Sequence, residues 1–483
     1  MKVLLTNPPW LTEDRIGFRS NVRWPFTIPL EEYRSHGCSS YHFPIYQAYT
    51  AALLKREGFE VDAIDCAVDA INEEEFLHRL GESAPDLIVF EIATPSFEQD
   101  CRTLKGVREQ TNAPVVLIGA HPTIFPSETM VKMTEADFIA HGEYEMTILD
   151  LTRTLKENGE LAKVAGLTWR RGDDVVTNAP RPVIEDLDSL PWPDRELFPQ
   201  ERYHESTYYA LPWITMISSR GCPFKCIYCS WPQTMYGHKY RARSAKSVVD
   251  ELEFCQKHYK PGEVFFDDDT FTIGKPRVME ICREIKARKL NVIWTCMGRV
   301  DTVDREMLDA MYGAGCRRIK FGVETGDPEV MKVIKKGLDL TRVKQAFVDA
   351  KEAGLEVHGT FMIGLPTDTH ESVRRTIDLA VSMPQDSVQF SIATPFPGTE
   401  FFDMCDKNDW LVTRDWRHFD GTHGSVVSYP QLDKKTIEQF LESAFTEYAR
   451  HGNRGSLVRR FCRSLRSDGL GTTLARTYRY LAR

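Results

Sequence analysis

The chain has 483 residues, 42% apolar and 27% charged, the proportions of a globular protein of about two to four domains. Its 61 basic and 70 acidic residues leave a net charge of −9, which argues against wholesale nucleic-acid binding. No apolar run approaches the ~18 residues of a membrane-spanning helix, and the first residues lack the apolar core of a signal peptide, so a cytoplasmic protein is expected.

Over residues 1–150, apolar strand-like runs alternate with helical patterns. Val3-Leu4-Leu5, Val61–Asp65, Leu87-Ile88-Val89-Phe90, Val115-Val116-Leu117-Ile118 and Phe138-Ile139-Ala140 read as strands, and a helix is expected from Ile45 to Glu57. This alternation predicts a doubly wound parallel sheet with its ligand at the carboxyl ends of the strands. Those ends are the loops Thr94-Pro95-Ser96, Gly119-Ala120-His121-Pro122 and His141-Gly142-Glu143. The loop Gly17–Pro25 carries Arg19, Arg23 and Trp24, which suit an anionic or ring-bearing substrate or ion pairs with Glu31 and Glu32. Residues 151–205 read as a connector, a hairpin around Gly172-Asp173 followed by an extended linker with five prolines from Pro180 to Pro199.

A second α/β unit is expected over residues 206–425. Its strands read Ile214–Ile217, Val264–Phe266, Val292–Trp294, Arg318–Phe321, Val357–Ile363 and Val388–Ser391, and six such units predict a βα barrel, complete or partial. Residues 426–483 form a helical C-terminal segment with nine arginines and one acid, Asp468, from Arg450 onward. It reads either as a peripheral contact with anionic lipid on the inner face of a membrane or as a solvated helix.

Twelve cysteines are too few for a secreted disulfide scaffold. Three of them, Cys222, Cys226 and Cys229, follow the expected first strand of the second unit with the spacing C-x3-C-x2-C. Three thiolates on one loop suit three irons of a [4Fe–4S] cluster, with the fourth iron left for an external ligand. A structural zinc is the alternative, and it needs a fourth ligand such as His238 or Cys255.

With Tyr228 ahead of the last cysteine, this motif resembles that of the radical SAM superfamily. The resemblance implies that the open iron binds S-adenosylmethionine (SAM), whose reductive cleavage yields a 5′-deoxyadenosyl radical, and that a reductant such as flavodoxin or ferredoxin supplies the electron. SAM contacts are then expected from Tyr228, from Asp267 or Asp269 where the family often has Gly-Gly-Glu, from Arg299 to the SAM carboxylate, and from Glu324 in Phe321–Gly326. Gly359, Gly364 and Pro366 fall in a segment that resembles the adenine-binding strand. Asn7-Pro8-Pro9, Gly119–Thr123 and His141–Glu145 resemble the subgroup with an N-terminal Rossmann-like domain of the cobalamin (B12)-binding type, which includes anaerobic magnesium-protoporphyrin cyclase, hopanoid-modifying enzymes and C-methylases. That resemblance implies cobalamin as a cofactor, with contacts from Thr94, Ser96, Gly119, His121, Gly142 and Glu143. The D-x-H-x-x-G motif of a lower axial histidine is absent.

The expected function is cobalamin-dependent C-methylation of a small lipid or natural-product-like substrate. The alternatives are a radical rearrangement, cyclisation or C–C coupling without methyl transfer, and, in another class, a non-catalytic iron–sulfur or electron-transfer protein. Methylthiolation of tRNA would normally need a second cysteine set and a basic RNA-binding appendix, and the nine other cysteines form no cluster.

Overall fold

The structure is a computed structural model, and it describes residues 1–19, 25–36, 38, 40–205, 208–422 and 424–451. Arg23, Trp24 and the arginine-rich stretch after His451 lie outside the described residues.

The N-terminal half carries β1 (Lys2–Asn7), β2 (Arg15–Phe18), β3 (Phe26–Pro29), β4 (Glu60–Asp65), β5 (Leu87–Glu91), β6 (Val115–Ile118), β7 (Phe138–Ala140), β8 (Leu167–Arg171) and β9 (Asp174–Thr177). Seven of these form one sheet in the order β4-β1-β5-β6-β7-β8-β9. It is parallel through β7, after which β8 and β9 join antiparallel. The hairpin expected in the connector therefore exists, but it extends the first sheet. Leu87–Phe90 and Val115–Ile118 are buried on both sheet faces, which is why they read as unbroken apolar runs. One apolar core packs the helices Ile45–Arg56 and Glu145–Glu157 on one face, and another packs Glu73–Ser83 and Phe97–Gln110 on the other. The helix Glu73–Ser83 starts where Asn72 accepts from the Glu75 N–H, with three acids in its first turn to match the helix dipole.

The C-terminal half carries β10 (Trp213–Met216), β11 (Ser219–Arg220), β12 (Arg241–Ala242), β13 (Glu263–Phe266), β14 (Trp294–Gly298), β15 (Cys316–Glu324), β16 (Glu356–Ile363) and β17 (Ser387–Ile392). Six of these form a parallel sheet in sequence order, β10-β13-β14-β15-β16-β17, whose first and last strands do not pair. The barrel is thus partial. The third strand starts at Trp294 rather than Val292, because Val292 turns its carbonyl against the bare face of Gly315. Helices cover the outer face over a single large core, which the helix Lys434–His451 joins through Ile437, Ala444 and Tyr448. Among the described residues, no helix is long and apolar enough to cross a membrane.

The proline-rich linker is extended but anchored. Arg195 donates to Glu251 at 2.9 Å and to the Thr215 carbonyl at 2.8 Å, and Arg243 takes the other oxygen of Glu251. Burial alone would raise the Glu251 carboxyl, yet Arg243 and Arg195 outweigh it and hold the group below its ordinary value. Glu251→Ala leaves two buried guanidinium groups without their carboxylate. A loss of about 3–5 kcal/mol is expected, read as a lower denaturation midpoint with an unchanged m-value.

Candidate active site

The cysteine loop joins β11 to a π-helical turn, Pro232–Tyr236. The loop is held largely through its backbone, and the Cys222 Sγ lies 3.9 Å from the Thr270 hydroxyl. The Gln233 side-chain amide donates to the carbonyls of Cys226 (3.3 Å), Ile227 (3.1 Å) and Cys229 (2.8 Å). Ile227 also exchanges backbone bonds with Ile334 and Phe401, each at 3.1 Å. Cys226 is buried, and Cys222 and Cys229 are half-buried. Three thiols on one restrained loop fit a cluster with one open iron. The zinc alternative fits poorly. His238 Nδ1 lies 3.0 Å from the Cys222 carbonyl, and Cys255 is buried on the core side of the helix Ala245–His258 to which it belongs. Among the described residues, no three His, Cys, Asp or Glu side chains converge on a single metal position.

The acidic turn after β13 divides by strand parity. Asp268 is buried and accepts from the Ser218 N–H and the Ser219 hydroxyl, each at 2.7 Å, so it buttresses the chain just before the cysteines. Asp267 and Asp269 are half-buried and share the parity of Phe265, whose ring lies 4.7 Å from the Lys320 ammonium on the sheet's inner side. Asp269 also accepts from the Gly221 N–H at 3.1 Å, next to Cys222. The sequence reading missed Asp268, although alternation from Val264 and Phe266 places it with the core side.

Arg299 departs from its expected role. Its guanidinium pairs with Asp301 at 2.8 Å, donates to the Lys336 carbonyl and lies 3.8 Å above the Phe224 ring. It therefore packs the cysteine loop instead of waiting for a carboxylate. Glu324 follows a bulge in β15 and holds φ at +73°, a strained backbone for a residue with a side chain. Its carboxylate lies 3.0 Å from Lys336 Nζ, which in turn lies 6.0 Å from the Tyr228 ring. Lys336 is the principal residue that sequence reasoning missed, and nothing in Lys335-Lys336-Gly337 marks it.

The glycines of β16 make room for the protein itself. A Cβ on Gly359 would fall 2.0 Å from Gln385 Oε1, and one on Gly364, at φ +86°, would fall 3.0 Å from Ile437. Gly364 also donates to Asp368 and accepts the Tyr429 hydroxyl at 2.8 Å, and Pro366 is buried. Gln385 and Ile437 thus pack on these glycines, in the segment that resembles the adenine-binding strand.

At the carboxyl edge of the first sheet, Thr94, Ser96, Gly119, His121, Gly142 and Glu143 are brought together on three adjacent loops. His121 is fully buried between Phe97, Phe125 and Trp416, with ring centroids 4.3, 5.3 and 6.0 Å away. Its Nδ1 lies 3.3 Å from the Thr94 hydroxyl, while its buried Nε2 has no hydrogen-bond partner. A buried orphan at this edge fits a ligand that carries polar groups. Ser96 bonds Asp100 at 2.5 Å, and Gly119, at φ +113°, leaves room for the Ile92 carbonyl. Arg19 pairs with buried Asp100 at 2.9 Å rather than with Glu31 or Glu32, and burial pushes the Asp100 carboxyl up to about 7.

Gly142 and Glu143 face the second unit. Gly142 turns its open face to the Met235 carbonyl, and Glu143 bonds Arg220 at 2.7 Å, Arg241 at 2.8 Å and the Ile184 N–H at 2.8 Å. Glu145 adds a second carboxylate 2.8 Å from Arg220, whose guanidinium lies 5.1 Å from the rings of Tyr46 and Tyr49. The edge of the first sheet and the cysteine loop thus meet across one buried charge cluster.

Three comparisons agree with this arrangement. Residues 216–380 match the radical SAM superfamily, and residues 39–152 match the B12 binding domain. An uncharacterized methyltransferase of Pyrococcus horikoshii is 31% identical over 407 residues, covering 84% of this chain and 87% of that protein. The anaerobic magnesium-protoporphyrin IX monomethyl ester cyclase of Cereibacter sphaeroides is 30% identical over 370 residues, covering 74% of this chain and 60% of that protein. The fold also matches the cobalamin- and [4Fe–4S]-bound radical SAM methyltransferase TsrM of Kitasatospora setae. The TM-score is 0.69 at 18% identity, over 94% of this chain and 89% of that one.

The chain belongs to the radical SAM superfamily, in the group with a B12-binding domain ahead of the radical SAM domain. It is a methyltransferase-like radical SAM enzyme whose cofactors are a [4Fe–4S] cluster, SAM and cobalamin.

Burial holds His121 at about 3, below its ordinary 6.5, so the unfolded chain takes up this proton first as pH falls. The associated stability is complete above about pH 6.5 and is lost progressively toward pH 3. His121→Gln has no such proton to bind. Urea midpoints between pH 6.5 and about 4 are expected to fall less steeply in this variant than in the parent.

Proposed function

We propose that the protein methylates an unactivated carbon of a small lipid or natural-product-like molecule, bound between the carboxyl edge of the first sheet and the inner face of the partial barrel. The observation that carries this reading is the meeting of two ligand-bearing edges. The loops of β6 and β7 abut the chain on either side of the three cysteines, through Ile124 beside Thr234, Gly142 against Met235 and Glu143 against Arg220. When bound, the cluster, SAM and cobalamin supply the electron, the hydrogen-abstracting radical and the methyl group.

The chain's own residues bind, orient and exclude water. Cys222, Cys226 and Cys229 hold the cluster as thiolates. Tyr228, Glu324 and Lys336 form the polar wall beside it, where an ammonium paired at 3.0 Å with a carboxylate suits the zwitterionic methionine end of SAM. Asp267 and Asp269 face the same side and offer acceptors to the SAM amino group. Arg299 keeps Phe224, and with it the cysteine loop, in place. Thr94 and His121 would offer polar groups to a bound corrinoid, with Ser96 and Gly119 shaping the loops behind them. Packed walls on both sides keep bulk water from the reacting atoms. The reductant is a small one-electron carrier of the flavodoxin or ferredoxin kind, and the protein works in the cytoplasm.

The test is anaerobic reconstitution with iron, sulfide and hydroxocobalamin, followed by incubation with methyl-deuterated SAM, a reductant and a cell extract as the source of acceptor. About four irons per chain, retained corrin and transfer of intact label to a carbon are expected from the parent. Cys226→Ala is expected to lose the cluster signal and all 5′-deoxyadenosine formation. Label-free product formed with consumption of SAM overturns methylation in favour of a rearrangement or cyclisation.

A further inference from the structure

The π-helical turn Pro232–Tyr236 touches both halves of the molecule. From the first sheet's ligand edge, three groups press on it. Ile124, at the end of the loop that carries His121, lies with Thr234 against Gly398, where a Cβ would meet them at 2.8 and 3.0 Å. Gly142 lies against the Met235 carbonyl, at 3.1 Å from its missing Cβ. Tyr46 stacks on Tyr236 at 5.0 Å and on Trp231 at 5.4 Å. The loops of β6 and β7 are themselves tied together, because the Gly142 N–H donates to the Thr123 hydroxyl at 3.1 Å.

Toward the cysteines, the turn acts through one side chain. Gln233 Nε2 reaches the carbonyls of Cys226, Ile227 and Cys229. Its Oε1 accepts the Glu400 N–H at 2.9 Å, which fixes the amide's orientation. Single-turn π segments inside other structure are uncommon and recur at functional sites. This one is packed so that a shift of either neighbour moves it.

We propose that the turn Pro232–Tyr236 couples the two cofactor sites, with Gln233 as the positioning residue that transmits occupancy of the first sheet's edge to the backbone of the cysteine loop. The inference rests on cobalamin binding at that edge. A corrinoid that orders the loops of β6 and β7 tightens the turn, and the turn tightens the three carbonyls behind the cluster. By linkage, the cluster strengthens corrinoid binding by the same factor.

Full-length protein, with and without anaerobic reconstitution with iron and sulfide, is divided and loaded with or without hydroxocobalamin. Corrin absorbance after desalting and the rate of iron loss to a chelator are measured on the parent, Gln233→Leu and Gln233→Glu. In the parent, corrinoid is expected to slow iron loss about fivefold or more. In both variants, corrin retention in the absence of the cluster is expected to stay within about twofold of the parent, and the rate of iron loss is expected to be the same with and without corrinoid. The glutamate variant keeps the side chain's size and exchanges the donor for an acceptor, so it separates loss of the clamp from loss of packing. Retained corrin with no slowing in the parent overturns the coupling, and so does undiminished slowing in both variants. A parent that retains iron but no corrin overturns the cobalamin reading, and the coupling with it.

Discussion

Arg220 carries its charge into the seam between the two units, and the surrounding structure has to match it. A guanidinium taken out of water costs several kcal/mol unless carboxylates and hydrogen bonds replace the lost hydration. Glu143 and Glu145 supply those carboxylates from the loop and helix after β7, and Tyr46, Tyr49 and Tyr236 offer ring faces. Arg241 shares Glu143, so the cluster pairs two positive with two negative groups. Two residues beyond Arg220 stands Cys222. The first sheet's last parallel strand and the cysteine loop are therefore held in one register by an arrangement that tolerates little displacement of either.

Legibility in the sequence varied with the kind of information each residue carries. The cysteine motif was readable because its chemistry lies in spacing along the chain. The parallel strands were readable because burial on both faces produces continuous apolar runs. Glu143 was noticed, but its direction was not, since its partner Arg220 stands 77 residues away and a charged pair looks the same whether it ends up in water or in the core. Lys336 acts through a single pairing and Gln233 through backbone groups, and neither leaves a pattern. Asp268 could have been separated from its neighbours by alternation alone.

The glycines offer a related lesson. Gly119, Gly359 and Gly364 stand where a small residue would let a ligand approach, and each instead admits another part of the chain: the Ile92 carbonyl, Gln385 and Ile437. A glycine reports that something comes close, and only the assembled structure says what. The strained φ of Glu324 is a different signal. There a full side chain accepts an unfavourable backbone to keep its carboxylate beside Lys336, and strain of that kind persists where surroundings over-determine it.

Trp416 closes over His121, and Asp420 accepts from the Thr27 hydroxyl across a separation of 393 residues. The first sheet thus has its carboxyl edge finished by a segment that is synthesised well after it. During synthesis, β1 to β9 can pair while the aromatic wall around His121 is still incomplete, and contacts of such long sequence separation form late. The wall around His121 is therefore completed only once that later segment has been made, and a chain arrested before Trp416 carries an assembled sheet with an open edge.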